Sequence, residues 1–184
     1  VEDTLTALQN LAAYHREQLA IPIIGIVGSN GKTTTKELVS RVLSQRYSVY
    51  ATRGNLNNHI GVPLTLLAMD DSIEFGVVEM GASAQKEIEL LCSISQPNYG
   101  IITNIGNAHL EGFGGKEGIR KGKGELYDYL SANGGRAFVP EQDSTLMQMA
   151  AERVNMAATT YPITIADGYK SNLSGDYNRF NIAV

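Results

Sequence analysis

The sequence predicts an α/β fold, in which a mainly parallel sheet is covered by helices on both faces. Two observations lead to this prediction. Short apolar runs rich in β-branched residues, such as IPIIGIV at 21–27 and FGVVEM at 75–80, are typical of strands that are buried on both faces. Segments with a helical spacing of apolar residues lie between such runs, and the connections are short. Strands that alternate with helices in this way form parallel sheets.

The predicted elements follow one another along the chain. Strands are expected at 21–27, 47–52, 75–80, 99–103 and 135–139, and helices at 3–19, 32–45, just after 63, 84–95, 116–130 and 144–154. We expect the helix at 32–45 to pack with Leu38, Val39, Val42 and Leu43 on its inner face. The GFGG stretch at 112–115 is interpreted as a loop, and the segment after Tyr161 as rich in turns.

Length and composition favour a single soluble domain. The chain has 184 residues and a net charge of −4, without the basic excess that a large nucleic-acid interface needs. Cys92 is the only cysteine, so no disulfide can form within the chain. No apolar run approaches the ~20 residues that span a bilayer, and the first ten residues lack the pattern of a signal peptide. We therefore expect a cytoplasmic protein that neither binds nucleic acid nor inserts into a membrane.

The stretch GSNGKTTTKE at 28–37 has the properties of a phosphate-binding loop. It follows a strand and opens a helix, and its glycines allow backbone N–H groups to turn toward phosphate oxygens. The Lys32 ammonium can reach terminal phosphates, and the Thr33 hydroxyl can bind Mg²⁺. Ile26 stands where the general motif has its first glycine, so this is a shortened variant, and a glycine-rich turn that caps a helix is the simpler alternative. The expected nucleotide-binding residues are Gly28, Ser29, Asn30, Gly31, Lys32, Thr33 and Thr34.

Polar residues at the ends of two other strands suggest a metal site. Glu79 ends the strand at 75–80, and Asn104 and His109 follow the strand at 99–103. In such folds, ligands collect at the carboxyl ends of the strands, and a carboxylate beside a phosphate loop can bind Mg²⁺. Considered alone, Glu79 could equally cap a helix and His109 could be an ordinary loop residue. Lys123 and Glu125 lie on the following helix, where a solvated face is the simpler interpretation.

The motifs together resemble the central ATP-binding domain of the Mur ligases. The resemblance is carried by GSNGKTT, GNLNNHIGVPLTLL, EMGA, TNIGNAHLEGFG and KGELYDYL, and it covers about residues 20–140 and again 173–182. Gly-Lys-Thr-Thr favours this family over the related folylpolyglutamate synthetases, which usually carry Gly-Lys-Gly-Ser. GNLNNHIGVPLTLL and AHLEGFG are most similar to the members that add D-Ala-D-Ala.

The resemblance implies a reaction in peptidoglycan precursor synthesis. ATP would phosphorylate the C-terminal carboxylate of a UDP-N-acetylmuramoyl-tripeptide, and the amine of D-Ala-D-Ala would attack the acyl phosphate. A peptide bond forms, and ADP and phosphate leave. This chemistry brings several negative charges together, so cations are needed to screen them.

The resemblance also implies roles for individual residues. Lys32, His109 and Lys123 would be catalytic, with Lys32 on the terminal phosphates. Thr33 and Glu79 would hold one Mg²⁺, and His109 would help to hold a second. Lys123 matches the family lysine that reacts with CO₂ to form a carbamate, which would give Mg²⁺ an anionic oxygen ligand.

Three further residues are assigned to the two substrates by the same resemblance. Asn57 and Asn58 lie in the loop that would face the UDP-sugar peptide and the phosphates. GDYNRFN at 175–181 resembles the Gly-x-His-Asn-x-x-Asn stretch that lies against adenine. Tyr177 replaces the histidine here, so only Asn178 is assigned to the nucleotide.

The resemblance predicts that residues 1–20 form a connector helix from an N-terminal domain and that residues 21–184 form the central ATP-binding domain. The family's N- and C-terminal domains are not recognisable in this sequence, so the isolated chain is expected to be inactive. Three alternatives remain open. The first is another Mur-type ligase with a different amino-acid acceptor, and the second is a cyanophycin-synthetase-like enzyme. The third is a non-catalytic nucleotide-binding module, for which loss of Lys32, Glu79 or His109 would be expected.

Overall fold

The computed structural model describes residues 2–106 and 110–184. Six strands form one sheet in this part of the chain: β1 (Ile23–Val27), β2 (Val49–Ala51), β3 (Phe75–Glu79), β4 (Tyr99–Ile102), β5 (Arg136–Pro140) and β6 (Ala157–Tyr161). Their order is β2-β3-β1-β4-β5-β6, and every pair of neighbours is parallel. The predicted α/β class with a parallel sheet is confirmed.

The helices of the described residues connect these strands. They are α1 (Thr4–Leu19), α2 (Lys32–Leu43), α3 (Gly61–Leu67), α4 (Glu87–Ser95), α5 (Leu110–Phe113), α6 (Lys116–Ala132), α7 (Ser144–Ala151) and α8 (Asn178–Ala183), with a 3₁₀-helix at Ile163–Gly168. None of these helices combines the length and the apolarity that crossing a membrane would need.

The central strand β1 supplies side chains to both faces of the sheet, because successive residues of a strand point to opposite sides. Ile23 and Val27 belong to the larger core, which includes residues of α1, α3, α4, α6 and α7. Ile24 and Ile26 belong to the smaller core, against which α2 packs. Burial on both faces explains why the strand is an unbroken apolar run.

The first helix is anchored to the larger core. Ala12 of α1 is fully buried there, and the helix contacts α3 and α4. The buried Arg16 donates hydrogen bonds to the carbonyl oxygens of Ser95 and Gln96, at the end of α4, and to Asn98 Oδ1. A cation at a helix C-terminus is favourable because the last carbonyl groups carry partial negative charge. Helix α1 is therefore packed firmly against the helices on this face of the sheet.

Three sequence predictions need correction. Strand β6 was not predicted, because its sequence AATTY is short and contains small and polar residues that the edge of the sheet leaves largely exposed. The GFGG stretch is not all loop: Gly112 and Phe113 end α5, and only Gly114 and Gly115 form a turn, both with positive φ. Val42 is 71% exposed rather than on the inner face of α2, whereas Val39 and Leu43 pack against the smaller core.

The strand order brings the candidate residues together. Because β1 lies between β3 and β4, the segments that follow these three strands leave the same edge of the sheet side by side. Gly28, Glu79 and Thr103 lie at the ends of these strands. Ligands bind at this edge in parallel α/β sheets, because the connections to the helices open a crevice there.

Candidate functional site

The loop that follows β1 has a backbone that requires glycine at two positions. Gly28 and Gly31 have φ values of +151° and +81°, which residues other than glycine rarely adopt. A Cβ atom on Gly28 would collide with Thr103 Oγ1, and one on Gly31 would lie 2.5 Å from Asn181 Oδ1. The loop is therefore packed tightly between the end of β4 and helix α8.

Residues after β4 hold this loop in place. Thr103 Oγ1 and Asn104 Nδ2 both donate hydrogen bonds to the carbonyl oxygen of Asn30, at 2.5 and 2.8 Å. Asn104 Oδ1 accepts from the Asn30 N–H at 3.1 Å, and the Gly106 N–H donates to Ser29 Oγ at 2.9 Å. These hydrogen bonds fix the shape of the loop, and a loop that is held in this way loses less conformational entropy when it binds a ligand.

Helix α2 begins at Lys32, directly after the loop. The Lys32 ammonium donates a hydrogen bond to the Gly28 carbonyl oxygen at 2.8 Å, so the side chain folds back over the loop. Burial lowers the pKa of Lys32, and the negative charge of Glu79 acts in the opposite direction. Thr33 is exposed and Thr34 is half-buried in the first turn of α2, where backbone N–H groups favour anions.

A pocket of about 560 Å³ opens beside the loop. It brings together six of the residues predicted from the sequence: Gly28, Ser29, Lys32, Asn57, Asn58 and Lys123. Its other walls come from the segments around Ser83 and Leu90, before and within α4. The loops after β1, β2 and β3 and the helix α6 therefore contribute to one cavity.

Glu79 is only 2% exposed, and its two carboxylate oxygens have different surroundings. Oε1 accepts a hydrogen bond from Asn57 Nδ2 at 2.9 Å. Oε2 is buried and has no hydrogen-bond partner among the described residues. A buried unpaired carboxylate oxygen is costly, and a bound cation would satisfy it.

The surroundings of Glu79 fit Mg²⁺. Within residues 2–106 and 110–184, no three His, Cys, Asp or Glu side chains come together as a metal cluster. Mg²⁺ does not need one, since it is usually held by one or two carboxylates together with water and phosphate oxygens. Glu79 Oε2 and the Thr33 hydroxyl are both oxygen ligands that can bind Mg²⁺ together with phosphate oxygens and water.

Lys123 is a buried amine rather than part of a solvated face, so the simpler interpretation of its sequence context is wrong. It is 2% exposed, and its Nζ lies 5.3 Å from the ring centre of Phe113. Burial, and in addition the charge of Lys32, lowers the pKa of Lys123 to about 8. Near neutral pH a larger share of this lysine is therefore a neutral amine than for an exposed lysine.

Helix α6 is shaped to bring Phe113 next to Lys123. Cβ atoms on Gly118 and Gly122 would collide with the backbone and the ring of Phe113.

Two residues after Lys123, the carboxylate of Glu125 accepts hydrogen bonds from the N–H groups of Lys86 and Glu89, at 2.6 and 2.9 Å. Glu125 thus caps the start of α4 from another helix.

Two of the other predicted residues also serve the fold. Asn58 Oδ1 accepts hydrogen bonds from the N–H groups of Ile60 and Gly61, at 3.1 and 2.9 Å, and so caps α3 at the pocket wall. Asn178 is buried, and its amide donates to the Ser174 carbonyl oxygen and accepts from Asn181. The predicted residue His109 lies outside the described residues.

Sequence reasoning missed three residues that shape the site. Asn181 contacts the phosphate loop and accepts a hydrogen bond from Thr35 Oγ1 at 3.2 Å. Thr52 and Lys36 form hydrogen bonds beside Glu79. The second asparagine of NRFN and the position of Thr52 at the end of a predicted strand were usable signals, whereas a lysine inside a helix gave none.

Comparisons with known proteins agree with this geometry. A family model described as the Mur ligase middle domain matches residues 26–184. The UDP-N-acetylmuramoyl-tripeptide–D-alanyl-D-alanine ligase of Bacillus subtilis (strain 168) is 47% identical over 150 residues, which are 82% of this chain and 32% of that protein.

Solved structures of Mur ligases are also similar to this chain. MurF from Acinetobacter baumannii superposes with a TM-score of 0.81 and 42% identity, over 87% of this chain and 35% of that one. The MurF ligase from Thermotoga maritima in complex with ADP gives a TM-score of 0.80 and 33% identity, over 88% and 37%. This chain therefore spans about a third of the length of these relatives. On the fold, the phosphate loop and these matches, the chain belongs to the Mur ligase middle-domain family.

Proposed function

We propose that this chain is the nucleotide-binding central domain of an ATP-dependent ligase in peptidoglycan precursor synthesis. The ligase joins D-Ala-D-Ala to the carboxylate of a UDP-N-acetylmuramoyl-tripeptide. The observation that carries the proposal is that one edge of the sheet combines a hydrogen-bonded phosphate loop, the half-buried Lys32, the buried Lys123 and the carboxylate of Glu79, one oxygen of which has no partner among the described residues. The names of the relatives and the ADP bound to the Thermotoga maritima enzyme support it. Residues 1–20 connect to an N-terminal domain, and residues 21–184 are the central domain.

The proposed reaction has two steps. The peptide carboxylate takes the γ-phosphoryl group of ATP, so an acyl phosphate forms and ADP is the leaving group. The amine of D-Ala-D-Ala then attacks the acyl carbon, loses a proton, and displaces inorganic phosphate as the amide bond forms. Both steps gather negative charge at one place, so the catalytic task is to position the groups and to neutralise that charge.

The phosphate loop and Lys32 bind the nucleotide in this proposal. Backbone N–H groups of residues 28–34 surround the phosphates, and the start of α2 adds its positive end. Lys32 exchanges its hydrogen bond with the Gly28 carbonyl oxygen for one with a terminal phosphate oxygen. Because the Lys32 side chain already lies over the loop, this exchange needs little rearrangement.

Glu79 and the Thr33 hydroxyl hold the first Mg²⁺, and His109 and Lys123 hold a second. Mg²⁺ at this place screens the phosphate and carboxylate charges from one another. Lys123 serves as a carbamate, formed with CO₂, because an ammonium group would repel the metal. The position of Lys123 in the same pocket as Lys32 supports this role. Asn58 lines the pocket on the side proposed for the UDP-sugar peptide, and Asn178 lies on the nucleotide side.

The test is acceptor-dependent ADP release by a full-length ligase that contains this chain, given a UDP-N-acetylmuramoyl-tripeptide. D-Ala-D-Ala, single amino acids, and no acceptor are compared side by side. Release that requires D-Ala-D-Ala supports the proposal. Release with a different acceptor assigns the domain to another Mur-type or cyanophycin-synthetase-like ligase. A protein that binds MgATP but releases no ADP with any acceptor is a non-catalytic nucleotide-binding module.

A further inference from the structure

We infer that Asn57 is a positioning residue that fixes the rotation of the Glu79 carboxylate, so that one oxygen remains directed at the metal. The sequence resemblance assigned Asn57 to the substrate side, and the structure gives its amide a different partner. The inference rests on the proposed function, because it specifies how the proposed Mg²⁺ ligand is held.

The backbone of Glu79 is fixed independently of Asn57. Its N–H donates a hydrogen bond to Thr52 Oγ1 at 2.9 Å, at the end of β2. The Thr52 carbonyl oxygen accepts from the buried Lys36 ammonium of α2 at 2.7 Å. Helix α2 also carries Thr33, so this chain of contacts sets the spacing between the two proposed metal ligands. The remaining freedom of Glu79 is the rotation of its side chain.

Asn57 removes that remaining freedom. Its Nδ2 donates to Glu79 Oε1 at 2.9 Å. The backbone of Asn57 is itself held, because its carbonyl oxygen accepts from the Gly81 N–H at 2.7 Å and its N–H donates to the Asn55 carbonyl oxygen at 2.8 Å. Gly81 lies two residues after Glu79, so this backbone hydrogen bond ties the loop that carries Asn57 to the segment that carries Glu79.

This arrangement assigns different tasks to the two carboxylate oxygens. Oε1 is occupied by Asn57, whereas Oε2 is buried without a partner among the residues described. Without Asn57, the carboxylate could turn toward the ammonium group of Lys32, whose charge it already influences. In that orientation the carboxylate would no longer face the metal. Groups that orient a metal ligand in this way typically change metal affinity by about 10–100-fold.

The experiment measures binding of Mn²⁺, a paramagnetic substitute for Mg²⁺, to the 184-residue chain. Free Mn²⁺ is followed by electron paramagnetic resonance at a saturating concentration of a non-hydrolysable ATP analogue. Nucleotide affinity is measured separately in EDTA with a fluorescent ATP analogue. The variants are Asn57→Ala and, as a matched control, Asn55→Ala, which changes an exposed side chain two residues away in the same loop.

We expect Asn57→Ala to raise the Mn²⁺ dissociation constant about 10-fold or more while the nucleotide affinity in EDTA stays the same. Asn55→Ala should change neither quantity. An unchanged Mn²⁺ affinity in a folded Asn57→Ala chain overturns the inference. If the wild-type chain binds neither the nucleotide nor Mn²⁺, the proposed nucleotide-binding function fails as well, so the two failures are distinguishable.

Discussion

Asn181 Oδ1 lies 2.5 Å from the place that a Cβ atom on Gly31 would occupy, so helix α8 packs directly against the phosphate loop. The same side chain accepts a hydrogen bond from Thr35 Oγ1 and donates one to Asn178 Oδ1. Three buried polar side chains thus connect the last helix to the start of α2. The shape of the loop depends on a segment that follows it by about 150 residues in the chain.

Gly31→Ala should therefore lower both stability and nucleotide affinity. The substitution combines a positive φ of 81° with a close contact to Asn181, and we expect a loss of about 1–3 kcal/mol in the free energy of unfolding. Urea denaturation measures this change in the free energy of unfolding. Gly168→Ala is the control, because Gly168 has open space around it and no positive φ. Equal stability of the two variants would contradict the tight packing described.

Arg16→Met should weaken the packing of α1 against the rest of the chain and lower the free energy of unfolding. The buried guanidinium makes three hydrogen bonds at the end of α4, and its removal leaves their acceptors without a charged donor. We expect a loss of about 2–3 kcal/mol in unfolding free energy, measured by denaturant titration. Arg41→Met on the exposed side of α2 should change it by less than about 0.5 kcal/mol. A loss no larger than this control's would mean that α1 is only loosely attached.

Lys32→Ala should abolish ATP turnover in a full-length ligase and leave the fold intact. The side chain lines the pocket, and among the described residues its one hydrogen bond is to the loop carbonyl of Gly28, so its removal opens no core cavity. Steady-state ADP release reports the loss, and circular dichroism checks the fold. Turnover equal to that of the wild type would remove Lys32 from the mechanism.

Lys123→Ala should be inactive but partly rescued by short carboxylates such as formate or acetate. If a carbamate on Lys123 is a metal ligand, a small carboxylate can enter the vacated space and supply the missing oxygen. The buried position of Lys123 beside Phe113 provides an enclosed volume for such an anion. ADP release is measured against carboxylate concentration, with Lys32→Ala as the variant that should show no rescue. A folded Lys123→Ala protein that no small acid restores would argue against the carbamate.

The class of fold and the position of the phosphate loop could be predicted from local patterns in the sequence. The class of fold follows from apolar runs such as residues 21–27, because burial on both faces of a parallel sheet demands them. The phosphate loop follows from glycine spacing between a strand and a helix. The order of the strands does not follow, because it depends on packing between distant segments. The Asn57–Glu79 hydrogen bond was missed for the same reason: its partners are 22 residues apart and meet only when β2 and β3 pair.

The cap that Glu125 provides for α4 restricts how the length of the chain can vary among relatives. Lys123 and Glu125 are both on α6. Lys123 lies beside the Phe113 ring, and Glu125 accepts hydrogen bonds from the start of α4. Insertion or deletion of a single residue between Lys116 and Lys123, within α6, would turn both side chains by about 100° relative to the start of the helix, moving the amine out of the pocket and the carboxylate away from α4. Relatives that keep this site should therefore have α6 without gaps.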